Sequence, residues 1–147
     1  MKLILGGYAN GRTAYAMQNY QLTESDCFDA AAEPLARWNG QRLILHAEQL
    51  VNPWLEQGKE PCTEILPWLE RWQNAVLITQ EVGCGLVPVT PQQRQLREAV
   101  GHFNRLLAEC AETVERVCCA GLPVIWKGES LYHEIMAGIF ADRTFHV

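Results

Sequence analysis

Short apolar runs alternate along this chain with longer segments whose apolar residues recur at helical spacing. Leu3-Ile4-Leu5, Leu43-Ile44-Leu45 and Ala75-Val76-Leu77-Ile78 are continuous apolar runs, the pattern of parallel strands covered on both faces. With their flanks they predict strands over Lys2–Leu5, Arg42–His46 and Asn74–Gln80. Further strands are expected over Val114–Ala120 and Pro123–Lys127, and a weaker one over Asp26–Asp29. Helices are expected over Arg12–Tyr20, Ala30–Trp38, Ala47–Gln57, Glu60–Trp72 and Pro91–Glu112. The last has Thr90 as cap, Pro91 in its first turn, and a stripe of Leu96, Val100, Phe103, Leu106, Leu107 and Cys110 at 3/4 spacing. Strand alternating with helix predicts an α/β fold around a mostly parallel central sheet.

The first strand leads into Gly6-Gly7-Tyr8-Ala9-Asn10-Gly11-Arg12-Thr13, which opens a helix. In that strand–loop–helix setting G-x-x-x-x-G-K-[ST] cradles phosphate on backbone N–H groups, its Lys reaching the β/γ-phosphates and its hydroxyl residue holding Mg²⁺. Thr13 is in place, either as a Mg²⁺ ligand or as a helix-start hydroxyl. Arg12 stands where Lys belongs. Its planar fork is not equivalent to an ammonium at a close-fitting site, although it can bind phosphate oxygens bidentately. The loop is thus expected to cradle phosphate.

A second constellation, Glu81-Val82-Gly83-Cys84-Gly85, ends the strongest strand. The C-terminal strand ends of a parallel α/β sheet line the ligand crevice. Glu81 is the carboxylate best placed there to bind Mg²⁺ through water or to orient an acceptor hydroxyl, and Gly83 and Gly85 allow close backbone approach. The competing reading of Glu81 is a structural hydrogen bond to the loop backbone.

The run Val76-Leu77-Ile78-Thr79-Gln80-Glu81-Val82-Gly83-Cys84-Gly85-Leu86-Val87-Pro88, followed by Gly101-His102-Phe103-Asn104-Arg105-Leu106-Leu107-Ala108 and the closing strands to Lys127, resembles the adenosylcobinamide kinase / adenosylcobinamide-phosphate guanylyltransferase family. That family shows T-N-E-V-G-x-G-(I/L)-V-P, then G-x-x-N-(Q/R)-x-(L/I)-A, and a G-G-x-R-S-G-K-S loop where this chain has Gly6–Thr13. The resemblance implies a three-layer P-loop (RecA-like) fold over residues 1–128. Family members end near Lys127, so 129–147 is an addition, read from Leu131, Ile135, Met136, Ile139 and Phe140 as a helical extension of the same domain. It also implies binding of a purine nucleotide, ATP or GTP with Mg²⁺, adenosylcobinamide or a related corrinoid as acceptor, a role for Asn104 beside the Glu81 loop, and a homo-oligomer, a trimer in the family.

Four departures change what the resemblance implies. Arg12 replaces the loop lysine and Asn10 replaces a serine. His46 stands where the family has an acidic residue after the third strand, and imidazole is a poor ligand for Mg²⁺; it reads as a general base at a strand end or as a core histidine. The family's guanylyl-accepting histidine lies between the second and third strands, whereas Leu22–Gln41 contains no histidine. Three functions are therefore open. The chain is a working kinase, a nucleotide- or corrinoid-binding protein without transfer chemistry, or a structural or regulatory subunit that oligomerises.

Composition narrows the setting. At 147 residues and net charge −5 the chain suits one domain and lacks the basic surface that non-specific nucleic-acid binding needs. No apolar run reaches membrane-spanning length and no leader is visible at the N-terminus, so a cytoplasmic protein is expected. The six cysteines show no C-x-x-C spacing and read as buried, reduced thiols. The five tryptophans read as core or subunit-interface anchors, and His102 as a surface residue.

Overall fold

The computed structural model describes residues 1–6, 11–80 and 90–117, and the backbone of 123–127. Its strands are β1 (Lys2–Gly6), β2 (Cys27–Asp29), β3 (Leu43–Leu45), β4 (Val76–Gln80), β5 (Thr113–Val117) and β6 (Pro123–Lys127). The helices are α1 (Arg12–Asn19), α2 (Val51–Glu56), α3 (Pro61–Glu64), α4 (Leu66–Arg71) and α5 (Pro91–Cys110). Among the described residues the strands form one sheet in the order β2-β3-β4-β1-β5-β6. The first five are parallel, and β6 runs antiparallel to β5 at the edge.

Alternation along each strand divides the apolar residues between two cores. Leu3, Leu5, Phe28, Ile44, Leu77 and Val114 face one side, where Val51, Ile65, Leu69, Trp72, Phe103 and Leu107 cover them. Ile4, Leu43, Val76, Ile78 and Val117 face the other, beneath Ala16 of α1 and Leu22. The continuous apolar runs thus serve a sheet covered on both faces, in three layers. Tryptophan supplies bulk to the larger core. Trp72 is fully buried, with Trp38 and Trp68 packed edge-on or tilted against it at 6.3 and 5.8 Å, and Trp54 meets Phe103.

Local chemistry explains where the helices depart from expectation. Instead of a helix over Ala30–Trp38 there is only a 3-10 turn at Leu35–Arg37. Pro34 drives the preceding residue out of the helical region, and Asp29 caps the Ala31 N–H in a turn instead. The expected Ala47–Gln57 helix begins as a 3-10 turn at Ala47–Leu50 because Pro53 has no N–H to give a continuous α-helix. Pro67 likewise splits Glu60–Trp72 into α3 and α4 at Ile65. In α5 the cap forms as read: the Thr90 hydroxyl accepts from the Gln93 N–H at 3.1 Å, and the Gln93 side chain accepts from the Thr90 N–H. Its stripe buries Val100, Phe103, Leu107 and Ala108, but Cys110 is exposed, and Cys27 and Cys62 are only half-buried, against the expectation of buried thiols. The segment 129–147 lies outside the described residues.

On the thinner face, α1 is tied to β5 by charge-assisted bonds. Both Tyr15 and Tyr20 donate their phenol hydrogens to Glu115, a carboxylate only 6 % exposed. Burial first, then the hydrogen bond and charge of Glu115, push both phenols well above the ordinary tyrosine range. From about pH 10 upward the unfolded chain therefore loses these protons while the folded chain keeps them, and stability falls as pH rises. The urea midpoint should fall above that pH in the wild-type protein and fall less steeply in Tyr20→Phe. Parallel slopes would show that the Tyr20–Glu115 bond does not set the alkaline limit.

Candidate functional site

The strand C-terminal ends gather the candidate residues along one edge. β1 and β4 are neighbours, with Gly6 opposite Gln80, so the strands that lead into the Gly6–Thr13 loop and into Glu81–Gly85 end side by side. Of those two segments, Gly6, Gly11, Arg12 and Thr13 are described, whereas Gly7, Tyr8, Ala9, Asn10, Glu81, Gly83 and Gly85 lie outside the described residues.

Each described loop residue has a specific placement. Gly6 has no room for a side chain, because a Cβ there would stand 2.7 Å from the Val117 carbonyl oxygen and 3.3 Å from Cδ of Arg12. Gly11 starts α1 with φ +72°, the left-handed region that glycine enters without strain. Thr13 is half-buried in the first turn of α1, a turn without acidic residues, so nothing there opposes an anion at the helix N-terminus. Arg12 runs past Gly6 and donates from Nη1 to the Thr79 carbonyl at 2.8 Å, spanning from the loop to the end of β4.

That end of β4 is held from every side. β3 pairs with β4 only as far as Ile44 against Leu77, so the ladder on that flank stops before the strand does. Two side chains take over. The Gln80 N–H donates to Oε2 of Glu48 at 3.2 Å, and the Gln80 carbonyl accepts from Nδ2 of Asn104 at 3.0 Å. Asn104 also accepts the Thr79 hydroxyl hydrogen on Oδ1 at 2.7 Å. Asn104 is thereby fixed in both amide orientation and position. Glu48 is 7 % exposed, and its Oε1 is buried with no hydrogen-bond partner. Glu48 was not foreseen from the sequence. The available signal was an acidic residue among apolar neighbours directly after a buried strand.

His46 is not a core histidine. Its side chain is 44 % exposed, and Nδ1 lies 2.8 Å from Oδ1 of Asp29 at the end of β2. The same Asp29 oxygen accepts from the Ala31 N–H, which fixes the carboxylate. His46 has φ 57° and ψ 45°, a left-handed conformation that costs a non-glycine residue on the order of 1–2 kcal/mol. The turn sends its two polar side chains opposite ways: His46 to β2 and Glu48 to β4. Asp29 as the partner of His46 was likewise invisible in the sequence, since the pairing exists only through β2–β3 register.

Elsewhere, a cavity of about 520 Å³ opens between the start of α3 and α5, lined by Glu60, Cys62, Glu98, His102 and Arg105 among others. It belongs to the helical layer and not to the strand ends. The Cys62 thiol there is pushed up by burial and then by Glu60, and burial followed by Asp26 and Glu24 does the same to Cys27, so neither is an activated nucleophile.

A five-stranded parallel run in the order β2-β3-β4-β1-β5, with a glycine loop between β1 and α1, defines an α/β protein of the P-loop NTPase type. Residues 38–125, more than half of the chain, match the family described as cobinamide kinase / cobinamide phosphate guanyltransferase. The chain belongs to that family, which ties it to cobalamin biosynthesis. A search of curated proteins found no match. The family match begins after the Gly6–Thr13 loop, so the phosphate-loop reading stands on motif and fold. Among the described residues no helix is long and apolar enough to cross a membrane.

Asn104→Ala removes one donor and one acceptor from the end of β4 and leaves the Gln80 carbonyl and Thr79 hydroxyl unpaired. It should cost about 1–3 kcal/mol of stability, read by urea unfolding. A change within a few tenths would mean that water replaces the side chain there.

Proposed function

We propose that this chain is a nucleotide-binding member of the cobinamide kinase / guanyltransferase family that has lost guanylyl transfer and retains phosphoryl transfer only weakly or not at all. The observation that carries the reading is the juxtaposition of β1 and β4. It brings the strand end from which the Gly6–Thr13 segment departs beside the end of the strand that leads to Glu81, and the first turn of α1 has no acidic side chain. A P-loop kinase positions its reactants and neutralises charge and does little covalent chemistry. The loop glycines and Thr13 suit the positioning, and Mg²⁺ would supply the bulk of the charge neutralisation.

Arg12 weighs against fast transfer. Its bond to the Thr79 carbonyl gives it a tie to β4, and a planar guanidinium does not reproduce the compact point charge of the loop lysine. Guanylyl transfer needs a nucleophilic histidine, and the segment between β2 and β3 has none. Adenosylcobinamide or a related corrinoid is the acceptor in this reading.

Calorimetric titration with ATP and GTP, with and without Mg²⁺, tests the reading, followed by a phosphorylation assay on adenosylcobinamide. Weak nucleotide binding with slow or no turnover is expected. Arg12→Ala should weaken binding by about 1.5–3 kcal/mol, the range for a charge-assisted hydrogen bond. Incubation with labelled GTP should leave no acid-labile GMP adduct on any histidine. An adduct would overturn the loss of guanylyl transfer. Absence of binding by either nucleotide would leave a structural or regulatory subunit.

A further inference from the structure

We propose that Glu48 is the side chain that receives the divalent cation carried by a bound nucleotide, a role that His46, at the strand end itself, does not fill. The proposal rests on the nucleotide-binding reading above and deepens it.

Glu48 is the described carboxylate whose environment calls for a cation. It is more than nine-tenths buried, one oxygen accepts from the Gln80 N–H, and the other has no hydrogen-bond partner. Among the described residues no ion pair involves it. A buried polar atom left without a partner requires a reason, and an ion that joins the site later is one. Glu115, the other buried glutamate, has both oxygens taken by tyrosines, so burial alone does not produce such a vacancy.

Position points the same way. Glu48 binds the last residue of β4, and that residue is the register partner of Gly6, where the phosphate loop begins. Glu48 caps that end from the β3 flank, and β1, which feeds the loop, lies one strand spacing, about 4.8 Å, beyond β4. His46 is committed to Asp29 on the opposite flank. Chemistry also favours Glu48, because Mg²⁺ takes oxygen ligands in preference to imidazole nitrogen. Among the described residues no three potential ligands converge on one point. A cation here would therefore be held by nucleotide phosphates with one protein carboxylate, the usual arrangement for Mg²⁺ beside phosphate loops.

The test uses the full chain titrated with ATP and with GTP, in chelator and in excess Mg²⁺, with Mn²⁺ as a second metal. Wild type should gain affinity from the metal. Glu48→Gln keeps an amide oxygen to accept from the Gln80 N–H, so its thermal midpoint and its metal-free affinity should stay close to wild type. Its metal-dependent gain should fall by about 10-fold or more. Asp29→Asn, which removes a neighbouring negative charge outside the proposed site, should leave that gain intact. If Glu48→Gln does not fold, Glu48→Asp serves: it keeps the charge, withdraws it by one methylene, and should reduce the gain. The proposal is overturned if the tested Glu48 variant retains the full gain, if Asp29→Asn loses it equally, or if wild type binds nucleotide with no gain from metal. That last result would leave nucleotide binding standing. Failure of wild type to bind either nucleotide under any condition would overturn both.

Discussion

The end of β4 is the constraint on which the rest of the site depends. A strand that outruns its neighbour leaves backbone groups facing a gap, and in a buried sheet these must find partners. Here β3 stops pairing at Ile44, and Gln80, which faces that flank, is satisfied by Glu48 and Asn104, while the Thr79 carbonyl on the β1 flank accepts from Arg12. Arg12 comes from α1, Asn104 from α5, and Glu48 from the turn after β3. Two residues thus join the helix that follows the Gly6–Thr13 segment, the longest described helix of the opposite layer, and the strand-to-helix turn that carries the acid. A shift of any one element moves the groups that the other two hold.

Much of the fold was legible because the central runs of β1, β3 and β4 are covered on both faces and carry no polar interruption. Leu3-Ile4-Leu5 and Leu43-Ile44-Leu45 have no other stable role in a chain of this size. Thr90-Pro91 with Gln93 was legible for a different reason: a capping box is satisfied within four residues and owes little to tertiary context. The helices between β2 and β4 were misread where proline governed. Pro34, Pro53 and Pro67 each remove an N–H inside an otherwise helical pattern, and periodicity alone does not register that loss.

The site was legible only in part, because its decisive pairings are tertiary. Glycine spacing and Thr13 announce the loop, and Asn104 followed from a motif. Nothing in the local sequence says that Asp29 will hold His46, since the two are brought together by the parallel register of β2 and β3. Nor does local sequence distinguish Glu48 from a solvated acid on a helix face. Only the early end of β3 pairing draws it inward. Side chains that replace a missing strand partner are hard to read in advance for this reason: their environment is defined by what a neighbouring element fails to supply.

The placement of opposite charges across β4 also bears on how the family's chemistry could fade without the fold fading. Arg12 binds Thr79 and Glu48 binds Gln80, so a cation and an anion each hold one of two consecutive residues. Both bonds support the sheet with or without nucleotide. Structural work of this kind retains a charged residue whether or not it still meets a phosphate or a metal, because removing Glu48 leaves the Gln80 N–H without its partner and removing Arg12 cuts a tie from α1 to β4. Arginine suits that work better than lysine, since its planar fork can address more than one acceptor at a fixed geometry. The guanidinium of Arg12 thus suits the hold on β4. A binding protein descended from a transferase would keep these contacts.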